Sequence, residues 1–145
     1  DWDVIDAKTK NLPAEKAKRY QAFPYLHKMG AALAAADLIV SRAGASVLGE
    51  YPLFGIPAIL VPYPHAWRYQ KVNAAYLADH GAAIILQDED LQLGLYDQIH
   101  KLISDQEKLT QMSQAMSSLA EPEASQKIAR LIREVAGEQD GGIPA

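Results

Sequence analysis

Three short apolar segments, separated by longer stretches of helical periodicity, constrain the fold of this 145-residue chain more than any other feature. They are residues 37–41 (DLIVS), 57–62 (PAILVP) and 82–86 (AAIIL). Bounded apolar runs of this length are typical of buried strands. Strands that alternate with helices along a chain form parallel sheets with crossover helices. The sequence therefore predicts an α/β fold with a parallel sheet flanked by helices.

Helical patterns occupy the segments between and after these strands. Residues 29–36, 46–54 and 68–80 are predicted helices. Gly55 and Gly81 suit the ends of the last two, because glycine favours the left-handed conformation that closes many helices. In the last third of the chain, apolar residues recur at steps of three and four, which predicts three further helices with one apolar face each.

Composition indicates a single globular domain. Hydrophobic residues make up 49% of the chain and charged residues 22%, and the length leaves room for one domain only. We expect this domain to span residues 1–136 and residues 137–145 to form a flexible tail. The chain opens on Asp1-Trp2-Asp3, without a start methionine, so we expect its natural start to be missing.

Charge and residue usage exclude several classes of function. The net charge of −4 leaves no basic surplus to neutralise nucleic acid. The chain has no cysteine for a disulfide or thiolate site, and its four histidines show no metal-ligand spacing. No apolar run approaches the roughly 20 residues that a membrane-spanning helix needs.

The turn after the first predicted strand, residues 41–46 (SRAGAS), is the first candidate binding element. It connects the carboxyl end of a strand to a helix, and its small residues would let a phosphate reach backbone N–H groups. A plain strand-to-helix turn with Ser46 as N-cap explains the same residues equally well. The chain has neither G-x-G-x-x-G nor G-x-x-x-x-G-K-[ST], so neither a nicotinamide dehydrogenase nor a P-loop nucleotidase is supported.

Polar side chains further along extend this candidate. Glu50, one helical turn past Ser46, could accept hydrogen bonds from two vicinal ribose hydroxyls, although a surface glutamate near a helix N-terminus would look the same. Gln70 and Asn73 share a helix face within residues 62–74, a segment rich in polar and aromatic groups, so their amides could meet sugar hydroxyls.

Residues 88–90 (DED) spell the D-x-D motif of metal-dependent sugar transferases. They precede a predicted helix, and Asp88 or Asp90 as its N-cap explains them. We therefore expect no metal site here.

Taken in order, these motifs resemble the MurG family, the bacterial UDP-N-acetylglucosamine transferases of peptidoglycan synthesis. The resemblance covers roughly residues 19–135. It is carried by Pro24-Tyr25-Leu26 with Met29, residues 36–46 (ADLIVSRAGAS) with Glu50, residues 55–62 (GIPAILVP), Gln70, Asn73-Ala74 and Gly81-Ala82-Ala83.

The resemblance implies the C-terminal half of a GT-B glycosyltransferase, in which two Rossmann-like halves enclose a cleft and this half holds UDP-GlcNAc. It implies that the main chain at Leu26 reads the uracil edge, that Glu50 binds the ribose and that Gln70 holds sugar hydroxyls. The N–H groups around Ser46 would face the diphosphate. The full expected substrate-binding set is Leu26, Arg42, Gly44, Ala45, Ser46, Val47, Glu50, His65, Tyr69, Gln70 and Asn73.

The same resemblance implies transfer of GlcNAc with inversion to the muramyl lipid intermediate, without a cofactor or an obligatory metal. The general base and the acceptor site would lie in the N-terminal half, which this chain does not match, so we expect the chain alone to be inactive. The full-length member would be cytoplasmic and peripheral to the inner face of the plasma membrane, which this chain would meet only as part of that enzyme. The expected partners are the UDP-sugar and either the missing half or a second copy.

The chain departs from the family pattern in several places. Val47 stands where the family usually has a threonine, and Tyr69 where a Gln or His commonly precedes Gln70. The first two strands of the half, with their glycine-rich loop, are absent. In the usual strand order 3-2-1-4-5-6 these would separate a weak third strand, predicted near residues 19–25, from the rest. We therefore expect the strands to rearrange, or the chain to dimerise or bind a separate segment.

The sequence is also compatible with other functions. One is a non-catalytic structural or engineered fragment, which would not bind UDP. Another is a donor subunit that works with a partner chain. A different GT-B transferase or a UDP-GlcNAc epimerase would also fit the residues at positions 50 and 70.

Overall fold

The computed structural model describes residues 2–65 and 69–137 and divides the chain into two compact units. The first unit, Asp1–Ala32, contains helices α1 (Trp2–Lys10) and α2 (Ala14–Ala17). The second unit, Leu33–Ala145, contains every strand found in the described residues. Helix α3 (Met29–Ala34) begins in the first unit and brings Leu33 into the core of the second.

Strands and helices alternate in the second unit. This confirms the predicted α/β class and the three principal strands. After residue 87, a 3₁₀ turn (Asp88–Asp90) leads into three successive helices. The elements after α3 are β1 (Ile39–Ser41), α4 (Val47–Phe54), β2 (Ala58–Leu60), α5 (Tyr69–Asp79), β3 (Ala83–Ile85), α6 (Leu91–Ile103), α7 (Gln106–Ser118) and α8 (Ala124–Val135).

The three strands pair in parallel and in chain order, β1-β2-β3. Ile39 lies opposite Ala58, and Ala58 lies opposite Ala83. The strand predicted near residues 19–25 does not form, so the expected rearrangement of strand order was wrong. That segment has no described strand beside it in its own unit, and an extended segment without a hydrogen-bonding neighbour is not stable as a strand. The remaining three strands are consecutive and pair directly. Dimerisation and binding of a separate segment stay predictions.

Two apolar clusters cover the two faces of this sheet. Alternate residues of β2 point in opposite directions: Leu60 joins residues of α4 and α5, and Ile59 joins residues of α6 and α7. All three β2 residues are buried. Burial on both faces explains why the strand segments are continuously apolar rather than alternating.

Helix α7 crosses the amino end of the sheet. Its Met112 belongs to one cluster and its Met116 to the other. Between them, the Ser113 hydroxyl donates to the Gly55 carbonyl at 2.7 Å, just before β2. The loops that follow the carboxyl ends of the strands therefore lie at the opposite edge from α7.

Helix α8 differs from its neighbours. The apolar faces predicted for α6 and α7 contribute buried residues to the core, but α8 has none, and its Ile128, Leu131 and Ile132 are exposed. No helix within residues 2–65 and 69–137 is long and apolar enough to cross a membrane. Of the predicted tail, residues 138–145 lie outside the described residues.

Gly55 closes α4 in the left-handed conformation, with φ of 62°, as the sequence predicted. A β-carbon at this position would lie 2.3 Å from the Ser117 hydroxyl oxygen. We expect Gly55→Ala to lower the free energy of unfolding by about 1 to 3 kcal/mol, from the cost of the left-handed backbone and the displacement of Ser117. Urea denaturation measures this change.

Gly81→Ala is the matched control, because Gly81 has φ of 74° and open space where the β-carbon would lie. It should show the backbone cost alone, about 1 to 2 kcal/mol. If Gly55→Ala cost less than Gly81→Ala, the close approach of Ser117 would be contradicted.

Candidate functional site

In the turn after β1, the carbonyl groups of Arg42 and Ala43 accept hydrogen bonds from side chains. The Tyr51 hydroxyl donates to the Ser41 hydroxyl at 2.9 Å, and that hydroxyl donates to the Arg42 carbonyl at 2.9 Å. The Asn73 amide of α5 donates to the Ala43 carbonyl at 3.0 Å. These bonds fix the path of the chain between β1 and α4.

Three N–H groups of the same turn, in contrast to these carbonyls, lack an acceptor among the described residues. No described residue accepts a hydrogen bond from the main-chain N–H of Gly44, Ala45 or Ser46. The Val47 N–H donates to the Gly44 carbonyl at 3.3 Å, so it is engaged within the turn. Ser46 occupies the N-cap position as predicted, but its side chain makes no capping bond. The turn therefore presents three donors at the positive end of α4, where anions are favoured.

Gly44 leaves space in front of these donors. Its φ is not in the left-handed region, and a β-carbon built on it meets no atom within 4 Å. Neither backbone conformation nor packing therefore requires glycine here. The side chain of Val47 is buried in the core, so this residue contributes no polar group to the turn.

Glu50 lies on the first turn of α4, and its N–H donates to the Ser46 carbonyl at 2.9 Å. Its side chain is exposed. No hydrogen bond or ion pair joins its carboxylate to any other residue in the described segments. The carboxylate is thus available to an external donor.

The two amides of α5 reach the ends of different strands. Asn73 binds the turn after β1, and the Oε1 atom of Gln70 accepts the Tyr63 N–H, after β2, at 2.9 Å. The shared helix face predicted for this pair is consistent with both contacts. Because Oε1 accepts a backbone N–H, the Gln70 amide group that remains for other partners is a donor.

Arg42 connects the ends of all three strands. Its guanidinium forms an ion pair with Asp88, after β3, and donates to the Val61 carbonyl, after β2, at 3.3 Å. It also lies over the Tyr63 ring, 5.3 Å from the ring centre. The His65 ring meets the same tyrosine edge-on at 5.6 Å. The ion pair between Arg42 and Asp88 was not predicted from the sequence, because 46 residues separate its members and no local pattern relates them.

The acidic triplet lies at the start of α6 with Asp90 at its N-cap, as predicted, but without a side-chain capping bond. The residue that precedes the 3₁₀ turn makes no such bond either. Asp88 instead pairs with Arg42. The carboxylate of Asp88 therefore binds a residue far away in the chain and not the N-terminus of α6.

The substrate contacts predicted for Tyr69 and Leu26 stay predictions, and part of a third predicted segment is not described. Tyr69 is the first residue of α5 and is exposed. Leu26 lies in the first unit, half-buried and outside regular secondary structure, so its role toward uracil stays a prediction. Residues 66–68 of the aromatic segment lie outside the described residues.

A cavity of about 650 Å³ opens at the other edge of the sheet, in front of β1 and β2. Its lining includes Asp37, Phe54 and Gln106. None of the residues of the turn after β1 lines this cavity, so it is separate from the candidate site at the carboxyl ends of the strands.

Parallel strands with a donor-rich turn between the carboxyl end of a strand and the following helix are typical of α/β domains that bind nucleotides. The family model of the glycosyltransferase family 28 C-terminal domain matches residues 4–129. The chain belongs to this family.

Individual relatives are named more specifically. The chain is 38% identical to the UDP-N-acetylglucosamine–N-acetylmuramyl-(pentapeptide) pyrophosphoryl-undecaprenol N-acetylglucosamine transferase of Roseiflexus sp. (strain RS-1), over 91% of this chain and 34% of that protein. It is 40% identical to the protein of the same name from Moorella thermoacetica, over 86% of this chain and 34% of the relative. The chain thus spans about a third of the length of these curated relatives.

A solved structure agrees with this assignment. The crystal structure of MurG from Acinetobacter baumannii superposes with a TM-score of 0.71 at 35% sequence identity, over 79% of this chain and 35% of that chain. The resemblance to the MurG family and the parallel α/β architecture are therefore confirmed.

The bond from Asn73 to the Ala43 carbonyl can be tested apart from any ligand. Asn73→Asp replaces the donor with a carboxylate that cannot donate, so we expect the free energy of unfolding to fall by about 1 to 3 kcal/mol. Urea denaturation measures the change. Gln92→Glu makes the same amide-to-acid change on the exposed first turn of α6, where the helix dipole favours a carboxylate, and should not lower stability. Equal losses in both variants would contradict the role of Asn73.

Proposed function

We propose that this chain is the donor-binding portion of a UDP-N-acetylglucosamine transferase that transfers GlcNAc to the muramyl lipid intermediate of peptidoglycan synthesis. The family and the names of the relatives support the transferase class. The observation that carries the proposal is the turn after β1, whose carbonyls are occupied while its N–H groups have no acceptor among the described residues.

The diphosphate is the part of the donor that fits this turn. Phosphate oxygens accept hydrogen bonds and carry negative charge, and the N–H groups of Gly44, Ala45 and Ser46 supply donors at the positive end of α4. The absence of a side chain on Gly44 lets the phosphates approach the backbone. No metal or cofactor is part of this proposal; UDP-GlcNAc is the donor substrate.

Glu50 supplies the ribose contact in this proposal. It lies on the first turn of α4, the helix that follows the N–H groups proposed to bind phosphate. Its two carboxylate oxygens can accept hydrogen bonds from the two vicinal ribose hydroxyls. Because no described residue pairs with this carboxylate, it makes these bonds without breaking one seen in the structure.

The sugar is assigned to the loop after β2. Gln70 holds this loop through the Tyr63 N–H and has its amide donors left for a sugar oxygen. His65 and Tyr63 are exposed on the same loop and add apolar and polar surface beside it. Asn73 supports the site indirectly, through the Ala43 carbonyl.

Turnover needs groups beyond this donor site. The base and the acceptor site are assigned to the part of the relatives that this chain does not span, together with contact to the membrane. In this proposal the isolated chain binds the donor and does not transfer the sugar.

Isothermal titration of the 145-residue chain with UDP tests the proposal. We expect saturable binding, weakened about tenfold or more by Glu50→Gln, because hydrogen bonds to a charged group contribute about 1.5 to 3 kcal/mol each. Glu134→Gln, the same change on exposed α8, is the control and should bind as the unaltered chain does. Absence of binding by the unaltered chain, or equal binding by the Glu50 variant, would overturn the proposal.

A second substitution tests the sugar contact separately. Gln70→Glu keeps an oxygen that accepts the Tyr63 N–H and removes the amide donor. We expect UDP affinity to be retained and the additional affinity for UDP-GlcNAc to be lost. Titration with both ligands measures the difference; undiminished preference for UDP-GlcNAc would show that Gln70 does not donate to the sugar.

A further inference from the structure

We propose that Arg42 and Asp88 form a positioning pair that holds the loop of residues 61–65 in the shape the sugar needs. This assigns Arg42 a different role from the direct substrate contact expected from sequence. The inference rests on the proposed function, because that function places the sugar against this loop.

The geometry of Arg42 carries the argument. One nitrogen of its guanidinium, Nη1, contacts both the Asp88 carboxylate and the Val61 carbonyl. The guanidinium also covers the Tyr63 ring at 5.3 Å, a distance at which a cation attracts an aromatic face. A single side chain from the end of β1 thus binds the first residue after β2 and a side chain two residues later.

Asp88 determines where the guanidinium lies. Asp88 follows β3 and Arg42 follows β1. Because β2 lies between these strands, the ion pair crosses the end of β2. The opposite charge of the carboxylate keeps the guanidinium over the Tyr63 loop and offsets its attraction for phosphate. A free arginine at this position would be a diphosphate ligand instead, since guanidinium binds phosphate well.

The loop is held at two points on Tyr63. Gln70 binds its N–H from α5, and Arg42 covers its ring. The Gln70 amide that is proposed to meet the sugar therefore depends on where the loop lies. Loss of the ion pair frees the guanidinium from the Tyr63 ring, while the bond from the Tyr63 N–H to Gln70 remains.

The size of the effect follows from exposure. The side chains of Arg42 and Asp88 are 44% and 33% exposed, so the pair is screened by water. Exposed pairs of this kind change equilibria by about twofold to fivefold. That is enough to alter how well the loop is ordered but not to unfold the domain.

Nuclear magnetic resonance and titration of the 145-residue chain test the proposal together. In Asp88→Asn, hydrogen exchange at the Tyr63 amide should accelerate about twofold to fivefold, while amides in the core of α5 and α7 keep their rates. The ratio of UDP-GlcNAc affinity to UDP affinity should fall by a similar factor. Asp88→Glu keeps the charge and should restore both quantities.

Asp90→Asn is the matched control. It removes the same charge two residues away, from a carboxylate without a hydrogen-bond or ion-pair partner among the described residues, and should change neither quantity. A double-mutant cycle with Arg42→Lys, which keeps the charge but loses the planar guanidinium, should show that the two substitutions are not additive.

The outcomes separate the two proposals. Unchanged Tyr63 exchange in Asp88→Asn, or UDP binding that strengthens when Arg42 is released, would overturn the positioning role and make Arg42 a direct ligand. If the unaltered chain bound neither UDP nor UDP-GlcNAc, the proposed function would fail. Tyr63 exchange would then still decide whether the pair orders the loop.

Discussion

Parallel pairing of β1, β2 and β3 organises the second unit of this protein. Because β2 lies between β1 and β3 and is buried on both faces, its position fixes the two outer strands and the helices that cover them. The carboxyl ends of parallel strands reach the same edge. Residues from positions 41–46, 61–65 and 88 therefore meet there, although they are far apart along the chain.

Side-chain hydrogen bonds then give that edge its chemical character. Side chains occupy the carbonyls of Arg42 and Ala43, and the adjacent N–H groups are left with no acceptor among the described residues. An ordinary strand-to-helix turn and an anion-binding turn have the same sequence signature, and both leave N–H groups without acceptors at the start of a helix. The proposed site therefore rests on these donors together with the space beside Gly44 and the position of Glu50, and Tyr51 and Asn73 fix the path of the turn.

Local patterns were reliable where the chain decides its own structure within a few residues. The three strands, the closing glycine at position 55 and the helix N-terminus at Ser46 all follow from residue type and spacing. The weak strand near residues 19–25 failed because a strand requires a neighbour, which residue type does not supply. The acidic triplet placed Asp90 at the N-cap of α6 as predicted, but the pairing of Asp88 with Arg42 could not be predicted from local spacing.

Residue order was sufficient to predict the α/β class, the segments that form strands and helices, and the family to which the chain belongs. The strand order, the ion pair between Arg42 and Asp88 and the attachment of Gln70 to Tyr63 became known only from the folded chain. Helix periodicity and turn chemistry act over a few residues, whereas these contacts form only after distant segments have packed. That the Oε1 atom of Gln70 accepts a backbone N–H could be known only after that packing.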